Sequence, residues 1–207
     1  MNLLLRLLSA IIILPGFLWL FYKNGWGLLV LIIGMLGFSL AEFWRMVRKK
    51  PSYALAILGT LYITAGISSL YLLRLHVSFS AVLLVLIATW SSDTFAYFAG
   101  RAFGKHKLAP SISPKKTWEG VLGGTLGAVL MPFVLQDFLT PLGAQDFLWV
   151  SLPCAILAPA GDLIESWVKR LCKVKDSGAL LPGHGGVLDR IDALLLTAPW
   201  AYLYFSW

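Results

Sequence analysis

Apolar residues in this chain fall into seven long, unbroken runs, roughly Leu3–Tyr22, Gly25–Trp44, Tyr53–Leu73, Val77–Gly100, Trp118–Leu135, Phe147–Val168 and Leu188–Trp207. A helix rises about 1.5 Å per residue, so each run can reach across about 30 Å of hydrocarbon. The runs are continuous and not alternating, which selects helices over barrel strands, because backbone groups in lipid must be satisfied internally. Composition agrees: 58% of residues are hydrophobic and 13% charged, against about 45–50% and about 25% in a soluble domain. Nine Trp, seven Tyr and 12 Phe suit the interfaces of a bilayer. The expected fold is all-α: a polytopic integral membrane helix bundle of about seven transmembrane helices. Residues 1–207 read as a single membrane domain, with no linker, repeat or low-complexity tract to divide it.

Charge sets the expected orientation. The chain has 17 Lys and Arg against 10 Asp and Glu. With the N-terminus cytoplasmic, every basic residue except Lys23 and Arg74 falls on the cytoplasmic side, and an odd number of spans leaves the C-terminus outside. The excess therefore reports topology, and no nucleic-acid partner is expected. The first run lacks a small-x-small cleavage site and carries Pro15 and Trp19, so it reads as a retained anchor and not a signal peptide. Cys154 and Cys172 show no disulfide or zinc spacing and read as free thiols.

Acidic groups inside spans are costly and point to function. Asp93 interrupts the fourth run, and Thr89, Ser92, Asp93 and Tyr97 share one helical face. Asp162, Glu165, Ser166 and Lys169 share another in the sixth run. Asp189 and Asp192 open the seventh. These carboxylates gather at the cytoplasmic ends of three helices, beside two basic loops, Arg101–Thr117 and Lys169–Val187. Mg2+ is usually held by one or two carboxylates plus substrate phosphates, so this mixture of acids and cations suits phosphoryl-type chemistry. Ser113, Lys115, Lys116 and Thr117 precede a helix start, a favourable phosphate position. Gly185 and Gly186 let backbone N–H groups approach a ligand. His184 suits capping or proton transfer equally. Structural ion pairs, such as Asp189 with Arg170, are the competing account of the acids. Gly120, Gly123, Gly124 and Gly127 form overlapping small-xxx-small pairs and read as a helix-packing face.

Longer stretches carry a family resemblance. Ser166-Trp-Val-Lys169-Arg170, Lys175-Asp176-Ser177-Gly178 and Leu181-Pro182-Gly183-His184-Gly185-Gly186-Val-Leu-Asp189-Arg190-Ile191-Asp192 together resemble phosphatidate cytidylyltransferase, also called CDP-diacylglycerol synthase. Asp93 to Tyr97, Gly100-Arg101, Phe103 to Pro110, Ser113 to Gly120 and Gly161 to Ser166 are similar to that family too. The resemblance runs from the fourth span onward. It divides the chain into N-terminal spans over 1–76, alike only in general character, and a catalytic half over 77–207. Bacterial members usually have more residues and spans, and the shortfall is expected before Val77.

The resemblance implies an integral enzyme of the bacterial inner membrane, often homodimeric, with its active site facing the cytoplasm. It would join CTP to phosphatidate of the inner leaflet and require Mg2+, with a second cation in a paired site on Asp162 and Asp189. On this reading Asp93, Glu165 and Asp192 are further ligands or orienters. Lys169 and Arg170 act at the reacting phosphates, with Lys115, Lys116, Lys175, Arg101, Ser113, Thr117, His184, Gly185 and Gly186 around the substrates. Asp176 can orient a lysine or a metal-bound water, and Arg190 can serve as a structural partner or a phosphate ligand. Rival readings are a CTP-using lipid kinase, which would release CDP, a transporter with an acidic pathway, and a catalytically inactive lipid-binding scaffold.

Overall fold

The protein was analysed as a computed structural model, which describes residues 14–50, 52–178 and 185–207. The described part of α1 is helical over 14–23. Then come α2 (Trp26–Val47), α3 (Tyr53–Leu72), which runs on through a π turn (Leu73–Val77), and α4 (Phe79–Phe103). A short hairpin, β1 (Lys107–Ala109) and β2 (Ser113–Thr117), leads into α5 (Trp118–Val134). A single 3-10 turn (Gln136–Phe138) precedes α6 (Ala144–Leu171), and α7 (Leu188–Ile191) and α8 (Leu194–Ser206) close the chain. Four of these helical stretches are long and apolar enough to cross a membrane: Trp26–Val47, Tyr53–Val77, Phe79–Phe103 and Ala144–Leu171. Helix α5 is apolar but shorter. The proposed anchor's residues 3–13, together with Arg6, lie outside the described residues, as does His184.

The helix ends sort into two groups. At one end Arg74 donates to the carbonyl oxygens of Phe21 and Tyr22, Ser80 to that of Thr140, and Tyr204 to Asp146. At the other end the hairpin, the start of α5, the end of α6 and α7 come together, through Lys116 on Pro159 and Arg170 on Ile112. The two basic loops therefore share one end of the bundle, and the acids lie near it.

Two sequence expectations change. The all-α chain carries a hairpin, in which Lys107 opposes Thr117 and Ala109 opposes Ser113, with a register irregularity between them. Thr117 ends the second strand and caps α5, its hydroxyl accepting the Gly120 N–H at 3.1 Å. Glu119 in the first turn complements the helix dipole and takes the His106 side chain at 2.6 Å. The seventh run is also not one continuous helix. Asp192 and Ala193 keep helical dihedrals, but the Asp192 carboxylate takes the Ala193 N–H at 2.9 Å. A side chain competing for the backbone donor interrupts the helical ladder there.

Within a membrane there is little hydrophobic drive between helices, so packing depends on small residues that allow close approach. The glycine face of α5 does this against α4. A Cβ at Gly124 would sit 2.8 Å from the Ser92 carbonyl oxygen, and one at Gly127 would strike the Phe95 ring. Gly161 of α6 meets the backbone of Asp192 and Ala193 in the same manner. The buried core runs through Leu28, Ile63, Ile67, Leu84, Val150 and Leu195. Val30, Ile57, Leu122, Leu126 and Ile156 stay exposed on the outer faces, as lipid-facing positions require.

Overpacking a closed seam costs about 1–3 kcal/mol. Gly124→Val is therefore expected to lower the melting temperature of the purified protein in detergent, while Leu126→Val on the outer face leaves it unchanged.

Candidate active site

The close approach of α5 to α4, and of α6 to the α7–α8 junction, puts polar side chains from several elements around one cavity of about 780 Å3. From α4 it takes Ser92, Asp93, Tyr97 and Arg101; from the hairpin Lys107, Ser113, Lys115, Lys116 and Thr117; from α6 Asp162 and Lys169. Asp189 and Asp192 complete the wall. Arg101, Lys107 and Lys115 are exposed, whereas Asp162, Asp189, Asp192, Lys116 and Lys169 are recessed. The rim is basic and the deeper wall is rich in carboxylates.

Each recessed lysine is held by acids. Lys116 Nζ lies 2.7 Å from Asp162 Oδ2 and also donates to the Pro159 carbonyl oxygen at 3.0 Å. Ser166 donates to Asp162 Oδ1 at 3.1 Å. Lys169 Nζ sits between Glu165 Oε2 at 2.5 Å and Asp189 Oδ1 at 2.8 Å. The common helical face of Asp162, Glu165, Ser166 and Lys169 is thus used as the spacing predicts. The proposed pairing of Asp189 is corrected: its partner is Lys169. Arg170 instead faces outward and donates to the Ile112 carbonyl oxygen at 3.4 Å, tying α6 to the hairpin turn.

Asp189 is the most heavily engaged carboxylate of the cavity wall. Besides Lys169 it accepts the backbone N–H groups of Ser177 at 3.1 Å and Gly186 at 3.0 Å. Gly185 sits at φ +83°, a conformation side chains rarely adopt. The glycines near α7 therefore shape a backbone cradle around Asp189. Asp192 uses one oxygen on the Ala193 N–H.

Some proposed site residues stand apart. Glu165 does not line the polar cavity; it borders a separate apolar cavity of about 460 Å3 between α2, α3 and α6, with Tyr62. Its Oε1 and the Tyr62 hydroxyl are both buried without a hydrogen-bond partner among the described residues. Lys175 and Arg170 are exposed and outside the cavity wall. Among the described residues, no group of three or more His, Cys, Asp or Glu is gathered to hold a metal ion. Cys154 and Cys172 are free and buried.

Two side chains at this end escape the sequence reading of the site. Lys107 adds a fourth hairpin-side cation beside Arg101, Lys115 and Lys116. Glu42, near the end of the second apolar run, is buried and accepts hydrogen bonds from Ser177, Val187 and Leu188. The signal for it was present: a lone carboxylate inside a span is costly unless something uses it.

The protein is thus helical, with apolar helices of spanning length and an acid-walled, basic-rimmed cavity at one end. The chain belongs to the cytidylyltransferase family, whose model matches residues 51–207. A phosphatidate cytidylyltransferase of Haemophilus influenzae is 41% identical over 192 residues, covering 87% of this chain and 65% of that protein. One from Rickettsia felis is 37% identical over 209 residues, covering 96% of this chain and 90% of that protein. One from Thermotoga maritima is 41% identical over 170 residues, or 78% and 61% of the two chains. The chain thus spans less than two thirds of the first and third relatives and most of the second. The likeness also begins earlier than the fourth span, since the family match takes in α3 and the Rickettsia alignment reaches the N-terminal helices.

Removing one partner from a buried ion pair costs about 3–5 kcal/mol, because the remaining charge is left uncompensated. Lys169→Ala strands both Glu165 and Asp189 and is expected to destabilise the purified protein by about that amount, read as a large drop in melting temperature in detergent.

Proposed function

We propose that this chain transfers a cytidylyl group from CTP to phosphatidate, giving CDP-diacylglycerol for phospholipid synthesis and releasing pyrophosphate. One observation carries the reading: basic side chains on the rim and carboxylates on the deeper wall of a single cavity, at the end of apolar helices. Relatives named phosphatidate cytidylyltransferase supply the substrates. A lipid kinase or a transporter gains no comparable support.

The phosphatidate phosphate is anionic at neutral pH, so it needs no general base. One of its oxygens attacks the α-phosphorus of CTP and forms the new P–O bond. The bond to the bridging oxygen of the β-phosphate breaks, and pyrophosphate leaves with that electron pair. Positioning and charge neutralisation then carry the rate. Lys115, Lys116, Lys107 and Arg101 hold triphosphate and lipid phosphate oxygens, with Ser113 and Thr117 as hydroxyl partners. Lys169 neutralises charge from the deeper wall, while Arg170 braces the hairpin. Gly185 and Gly186 shape the backbone beside Asp189, and a substrate role for Lys175 and His184 rests on the family resemblance alone.

The donor set fits Mg2+. Asp93, Asp162, Asp189 and Asp192 offer hard oxygen atoms on one cavity wall, and Mg2+ takes one or two carboxylates, with substrate phosphates and waters completing its shell. Asp162 and Asp189 would hold it, with Asp192 and Asp93 on the same cavity wall and a second cation as part of the same proposal; Glu165 acts behind them by orienting Lys169. When bound, the ion supplies charge neutralisation on the transferred phosphate oxygens.

The same reading sets the surroundings. Seven crossings, with the N-terminus in the cytoplasm and the C-terminus outside, turn the basic loops toward the cytoplasm of a bacterial inner membrane. Soluble CTP and an inner-leaflet headgroup then meet at the helix ends. A homodimer is part of the same proposal.

Purified protein incubated with labelled CTP, phosphatidate and Mg2+ is expected to yield labelled CDP-diacylglycerol and free pyrophosphate, with turnover abolished by EDTA and restored by Mg2+. Release of CDP and a phosphorylated lipid, or no lipid product at all, would overturn the assignment.

A further inference from the structure

We propose that Glu42 of α2 is a positioning residue for the active site, holding the backbone that presents Asp189. The inference rests on the reading of the Asp189 cavity as the reaction site. Glu42 touches neither the cavity wall nor, on that reading, any substrate, and nothing in the mechanism above uses it.

Its surroundings are specific. The side chain is 4% exposed. Oε1 accepts the Val187 N–H at 3.1 Å. Oε2 accepts the Leu188 N–H at 3.0 Å and the Ser177 hydroxyl at 3.2 Å. All three donors belong to the segments on either side of residues 179–184, and none to α2's own neighbours. Ser177, which gives its hydroxyl to Glu42, and Gly186, the neighbour of Val187, are the two residues whose backbone N–H groups grip Asp189. Gly178 and Gly186 close over the carboxylate. A Cβ at Gly186 would lie 2.5 Å from Glu42 Oε2, and one at Gly178 would collide with Oε1.

Chemistry explains why this residue is a carboxylate. The site presents three donors and needs an acceptor with two oxygen atoms. An amide of the same shape turns one acceptor into a donor pointed at N–H or O–H groups. An unsatisfied buried group costs its full desolvation penalty. No cation pairs with Glu42 among the described residues, so two backbone N–H groups and the Ser177 hydroxyl carry the interaction. Through it, the second helix, outside the stretch matched by the family model, reaches the reaction centre.

The test uses the full-length protein in detergent–lipid micelles. Glu42→Gln is near-isosteric. It is expected to speed amide exchange over 185–190 by about tenfold or more, the loss of hydrogen bonds to a charged group, while exchange in α4 and α5 stays unchanged. Turnover is expected to fall by about tenfold or more on the same grounds, with KM for CTP little altered, because the phosphate-binding hairpin is untouched. Gly178→Ala keeps the carboxylate but crowds it, and is expected to reproduce both effects. Ser39→Ala, one turn away and buried without a partner, should change neither. Amide exchange needs no turnover, so it reads Glu42 even if the enzyme assignment fails. Unchanged exchange over 185–190 in Glu42→Gln, or loosening spread evenly over every helix, would overturn the positioning role. So would a loss expressed wholly in KM.

Discussion

The ammonium group of Lys169 lies between two carboxylates, one a helical turn back on its own helix and one on the short helix that follows. Much of this end of the bundle depends on that arrangement. A lysine recessed among apolar helices is tolerable only with anionic partners, and two buried carboxylates are tolerable only with a shared cation. The pairing therefore fixes the end of α6 against α7. Asp162, about two turns back along α6 from Lys169 and partly exposed, is tied to the hairpin by Lys116. Two lysines, from hairpin and helix, thus draw acids of separate elements onto one wall.

Even so, the wall is not neutral. Asp93, Asp162, Asp189 and Asp192 outnumber the recessed lysines, while the surplus cations Arg101, Lys107 and Lys115 stand exposed at the rim. On the proposed function, the acid-rich wall would draw a divalent ion inward while the basic rim would take the phosphates. Glu165 borders the apolar cavity and its partner Lys169 the polar one, so this ion pair stands between the two.

Much of this was legible in the sequence, and the limits have physical causes. Helical periodicity correctly put Asp162, Ser166 and Lys169 on one face, and the glycine spacing of α5 predicted a packing face, which the structure sets against α4. The choice of Lys169 over Arg170 as partner of Asp189 was not readable, because neighbouring residues on a helix point about 100° apart and only the packed structure says which faces inward. The hairpin escaped notice since β1 and β2 are short and polar, with Pro114 in the second strand. The break at Asp192 depends on a carboxylate capturing its neighbour's N–H, a local competition that hydropathy does not register. Glu42 was overlooked because its partners are mostly backbone N–H groups more than a hundred residues away, and main-chain donors leave no mark on a sequence.

The account turns on the acids of this cavity serving the reaction and not merely the packing. The most direct measurement is steady-state CDP-diacylglycerol formation by Asp162→Asn at saturating Mg2+, alongside its melting temperature. Asp162 is partly exposed, with its side chain at 36%, so folding should survive the change. A loss of turnover of about 10²-fold or more, the scale on which electrostatic groups act on transition states, with a melting temperature close to wild type, is the predicted result. Turnover near that of the wild type would contradict the account.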